Sequence, residues 1–105
     1  MQRTFVEVAK VCAAEARAAG AKFAVYMHPV NRPVVARVKV VRHFERTARE
    51  ETIPALRAAG IEVLVPPDAF FEPGLFYDHV HLVKPGAEAL SEWLAGEISR
   101  IRSAR

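Results

Sequence analysis

The chain has one cysteine in 105 residues, so no disulfide can form within it. It has a single asparagine, Asn31, and only three serines, Ser91, Ser99 and Ser103, all after residue 90. No apolar run approaches the roughly 18 residues that a membrane-spanning helix needs. Met1-Gln2-Arg3 leads into a stretch interrupted by Glu7 and Lys10, which is not the core of a signal peptide. Internal repeats and low-complexity segments are also missing, and no compartment is legible.

What is present has the balance of a globular protein: 51% hydrophobic and 26% charged residues, unlike the polar, highly charged chains that stay disordered. The length allows one modest core, and residues 1–105 read as a single α/β domain or part of one. The formal charge is +3 and the isoelectric point about 9.4. The arginines of Arg32 to Arg57 and of Arg100 to Arg105 carry much of that excess. They form no focused basic patch paired with aromatics and no nucleic-acid-binding motif accompanies them, so solvated helix faces explain the charge better than a nucleic-acid partner does.

Periodicity and punctuation set out the elements. Thr4-Phe5-Val6-Glu7 has the capping-box pattern of a helix start, and Phe5, Val8, Cys12, Ala16 and Ala19 recur at three- and four-residue spacing before Gly20. On that stripe Cys12 is expected to be buried. Lys22 to Met27 is a short apolar run ended by Pro29 and reads as a buried strand. Val34 to Val41 alternates like a strand, but Val34, Val38, Val41, Phe44, Ala48, Ala55 and Ala59 also fit a helical stripe. Because the stretch runs on without turn signals, with Pro33 tolerated in a first turn, a helix is the favoured reading. Pro54 must kink or restart that helix, Thr52 is placed to cap the second piece, and Gly60 closes it. Ile61 to Val65 is a second short strand, stopped by Pro66-Pro67. A loop from Asp68 to Lys84 precedes a last helix that starts near Pro85 or Gly86 and runs through Leu90, Trp93, Leu94, Ile98 and Ile101. Strands alternating with helices predict a parallel sheet. Because two strands do not make a stable parallel sheet, the reading requires further strands from a missing N-terminal half or from a second copy of the chain.

The long loop holds the chemistry. Asp78-His79-Val80-His81 leaves the end of the second strand, where doubly wound folds place their sites. An aspartate three residues before a histidine on a tight loop can accept a hydrogen bond from one imidazole nitrogen, leaving the other free to take a proton. Two other readings compete. Asp78 and His81 can simply bond the turn into the last helix. His79 and His81, with Asp78, His28 or Asp68, can also be arranged as a metal site, although no cysteine pair or second histidine motif accompanies them. His28 and Asn31 follow the first strand and are candidates for substrate binding in the same crevice, or plain turn residues. Phe70, Phe71, Phe76 and Tyr77 either wall an acyl pocket or cover the sheet edge.

"YDHVHL" followed by "KPGAEAL" resembles the last conserved block of the SGNH/GDSL hydrolases, in which Asp-x-x-His-Leu precedes the final helix. The resemblance implies Asp78 as orienting acid and His81 as general base, and gives His79 no role. It implies a three-layer, flavodoxin-like parallel sheet, of which this chain would be an incomplete C-terminal portion. It implies serine-mediated acyl transfer on a small acyl ester or an acylated polymer, with no metal or organic cofactor required. The pattern departs from the family where the nucleophile and oxyanion hole should be. No serine stands in a Gly-Asp-Ser block, and Asn31 lies in "HPVNRP", not in a Gly-x-Asn-Asp setting. The alternative is a non-catalytic α/β module completed by a partner chain.

Overall fold

The computed structural model describes residues 2–104. Arg105, one of the arginines of the basic C-terminal run, lies outside the described residues, as does Met1. The helix α1 spans Gln2–Ala18, followed by strand β1 (Ala24–Tyr26), α2 (Arg32–Val35), α3 (Lys39–Thr47), a π-helical segment (Ala48–Thr52), α4 (Ile53–Ala58), β2 (Glu62–Leu64), two 3-10 turns (Asp68–Phe71 and Pro73–Leu75) and α5 (Lys84–Ser103). The chain forms two compact units, residues 2–26 with 43–64 and residues 27–42 with 65–104.

In the first unit β1 and β2 pair in parallel, with Ala24 opposite Glu62, Val25 opposite Val63 and Tyr26 opposite Leu64. Each strand is launched by the same device. Gly20 and Gly60 take positive φ values of 74° and 78°, and the residue after each donates its N–H to a carbonyl five residues back, Ala21 to Ala16 and Ile61 to Leu56. This is the Schellman stop, which glycine permits because it lacks a Cβ. The core consists of Val6 and Ala9 from α1, Ile53 and Leu56 from α4, and Ile61, Val63 and Leu64 around β2. Leu56 is only 1% exposed.

The three-layer flavodoxin-like sheet is not what forms. The described residues are mostly helical, and the sheet has two strands of three residues each. Of the apolar runs Lys22 to Met27 and Ile61 to Val65, only Ala24–Tyr26 and Glu62–Leu64 pair, and a short apolar run does not by itself supply the neighbouring strands that a wider sheet needs. Other details also differ. Thr4 lies inside α1, so it does not cap it, and Glu7 pairs with Lys10 instead. The buried stripe of α1 is Val6 and Ala9 with half-buried Ala13 and Ala16, which leaves Phe5, Val8, Val11 and Cys12 exposed. The single long helix is broken after Val35, where Arg37 and Val38 donate to carbonyls only three residues back. Pro54 lacks the N–H that would continue the ladder. The chain absorbs this through the π-helical segment, in which Ile53 donates to Ala48, and Thr52 stays helical without capping.

The second unit carries the loop. Val35, Phe71, Phe76 and Leu90 are buried, along with Pro29 and Asn31. Arg32 lies over the Phe71 ring at 4.0 Å and bonds Asp68 at 3.2 Å. Phe70 packs on Trp93. The last helix begins with Lys84-Pro85, the proline in the first turn where its missing N–H costs nothing. Gly86 permits a close approach: a Cβ there would meet the Leu75 carbonyl oxygen at 3.1 Å and Leu75 Cβ at 3.3 Å.

Candidate acid–base site

The Asp78 loop is closed at its base by backbone. Val83 donates to the Leu75 carbonyl at 2.8 Å, Phe76 bridges Leu82 in antiparallel fashion, and Tyr77 donates to the His81 carbonyl at 3.0 Å. Inside this base the two oxygens of the Asp78 carboxylate have separate tasks. Oδ1 accepts the backbone N–H groups of Val80 at 2.9 Å and His81 at 2.6 Å, which makes the turn. Oδ2 accepts from His81 Nδ1 at 2.6 Å.

The charge on Asp78 follows from these donors. The backbone N–H groups of His81 and Val80, with the His81 ring, hold its carboxyl down at about 2, against a partial desolvation that raises it. An ionised carboxylate has no hydrogen to give, so the proton of the Oδ2 link belongs to His81 Nδ1. In the neutral ring Nε2 then carries the lone pair. No described residue bonds Nε2, and the His81 side chain is 62% exposed. The Tyr77 ring stacks on it, with centroids 5.7 Å apart and planes at 12°. The arrangement is an oriented imidazole with its basic nitrogen facing outward.

His28 and Asn31, expected at a substrate crevice, both reach this loop. His28 Nε2–H donates to the Val80 carbonyl at 2.9 Å, and because a carbonyl only accepts, that ring nitrogen carries the proton. Asn31 donates twice, from its backbone to the His79 carbonyl at 2.9 Å and from Nδ2 to the Asp78 carbonyl at 3.2 Å. Three successive carbonyls, of Asp78, His79 and Val80, are thus held from one segment. His79 is exposed. Among the described residues no three His, Cys, Asp or Glu side chains are grouped to hold a metal ion. Asp68, the outlying member of the proposed metal set, bonds Arg32. The aromatics divide: Phe71 and Phe76 are core, whereas Tyr77, 71% exposed, is the histidine's stacking partner.

The three serines lie on α5, beginning seven residues along it. At about 1.5 Å rise per residue this puts Ser91 roughly 10 Å beyond the helix start, and Ser99 and Ser103 further still. None of them bonds His81 among the described residues. No described helix is long and apolar enough to cross a membrane. Compared with protein-family models, with curated proteins and with solved structures, the chain matches none of them.

Proposed function

We propose that Asp78 and His81 are the acid–base pair of an SGNH/GDSL-type ester hydrolase or O-acyltransferase. The observation that carries this reading is the division of labour on one carboxylate. A residue that only built the turn would need Oδ1 alone, whereas Oδ2 is spent on holding His81 with Nδ1 protonated and Nε2 outward. In acyl transfer His81 Nε2 takes the proton of a serine hydroxyl as that oxygen attacks the acyl carbon. It then returns the proton to the leaving group, while Asp78 holds the ring and stabilises the imidazolium. The serine and its oxyanion donors are not supplied by the α5 serines, so another segment or chain must bring them to His81.

The test is labelling of the protein, isolated from its own source, with a serine-reactive fluorophosphonate. The expected result is one labelled serine other than Ser91, Ser99 or Ser103, with labelling abolished by His81→Ala and by Asp78→Asn. Labelling that survives His81→Ala, or none in the native protein, contradicts the proposal. The second reading, a module whose sheet is completed by a partner chain, is favoured by the lack of a third strand among the described residues. Light scattering that finds only a stable monomer of the isolated chain would count against it.

A further inference from the structure

We infer that His28 and Asn31 are positioning residues: by holding the carbonyls of Asp78, His79 and Val80 they set the loop geometry in which Asp78 orients His81. The inference rests on the acid–base reading above and assigns these two residues a role other than substrate contact.

Three features of the 28–31 segment support it. First, the donors are matched one to one with consecutive acceptors, Asn31 Nδ2 to Asp78, Asn31 N to His79 and His28 Nε2 to Val80. The same stretch of backbone supplies the two N–H groups that grip Asp78 Oδ1. The peptide units between Asp78 and His81 are thereby held from both sides, and neither Asp78 nor the His81 backbone can turn without breaking a bond to residue 28 or 31. Second, Asn31 forgoes local alternatives. It stands at the N-cap position of α2, where an asparagine side chain ordinarily bonds the first helical N–H groups, yet it makes no such bond. It is 6% exposed, and its Oδ1 is buried with no hydrogen-bond partner among the described residues. Turning the amide over would face Oδ1 against the Asp78 carbonyl, two acceptors in contact. The side chain is therefore committed to donating to Asp78 while its own acceptor goes unpaired. Third, the segment is stiff. Pro29 is fully buried and Pro33 sits in the first turn of α2.

The experiment is ¹⁵N NMR of the His81 ring, which distinguishes the Nδ1–H from the Nε2–H tautomer, on the full chain with unfolding midpoints measured in parallel. Asp78→Asn is the reference. Its amide oxygen can still accept the turn's N–H groups, but its NH₂ faces Nδ1 and moves the ring proton to Nε2. His28→Ala, at an exposed position, is expected to lose part of the Nδ1–H signature. His28→Gln is expected to restore it, because a glutamine Nε2 donor can reach the place of the imidazole Nε2–H. Asn31→Ala is expected to lose the signature further, and if that variant does not fold the His28 pair decides. Unchanged His81 tautomer in His28→Ala, with only the unfolding midpoint lowered, overturns the inference while leaving the acid–base reading intact. An unchanged tautomer in Asp78→Asn overturns both.

Discussion

The sheet-bearing unit and the Asp78 loop are ordered by different means. In the first, Leu56, Ile61, Val63 and Leu64 are buried and the short strands add three residues each of parallel pairing. In the second, the stretch from Tyr77 to His81 holds no buried residue, yet its carbonyls and its one carboxylate are bonded from several directions. Apolar burial is non-directional and tolerates small shifts, whereas a network of hydrogen bonds fixes where each group points. In this loop, which holds no buried residue, directed polar contacts together with the stacked Tyr77 ring orient one imidazole.

That contrast can be broken at either end. The largest effect is expected from Leu56→Ala, which opens a cavity where α4 meets β2 and should cost about 2–5 kcal/mol by denaturant unfolding. A much smaller loss would show that burial is not what holds this unit. Gly60→Ala should cost about 1–2 kcal/mol. No atom lies within 4 Å of an added Cβ there, so the positive φ alone is responsible, and Gly20→Ala should behave alike. Asp78→Asn should act through acid stability. The Asp78 carboxyl lies below its unfolded value, so its contribution is present above about pH 4 and is lost as pH falls through about 2. An acid-unfolding series should therefore find the wild-type chain losing stability over that window relative to the variant, and parallel curves would contradict the assignment. The smallest effect is expected for Val11→Ser on the outward face of α1, within about 0.5 kcal/mol. A larger loss there would mean that this face is packed in solution.

The sequence was most informative where local rules decide. The stops at Gly20 and Gly60 and the interruption at Pro54 are backbone matters, and each produced a feature at the expected place. The inward face of α1 was not legible, since Val6 and Ala9 fit the same spacing as Phe5, Val8 and Cys12. A helix apolar on several sides does not declare which stripe is buried. The three-layer sheet failed for a related reason: a short apolar run shows that a segment is extended, not how many neighbours it has. At the site, the Asp78–His81 link was legible because three residues on a tight turn bring the side chains together. The bonds of His28 and Asn31 were not, because their targets are backbone carbonyls roughly fifty residues away, and a carbonyl leaves no mark in the sequence.

The most direct test of the claim that one carboxylate both makes the turn and anchors His81 is a ¹³C NMR titration of the Asp78 carboxyl in the folded chain. The arrangement predicts a midpoint at about 2. A midpoint near the ordinary aspartate value of about 3.9 would mean that the Val80 and His81 donors do not grip Asp78 in solution, and the acid–base reading would lose its foundation.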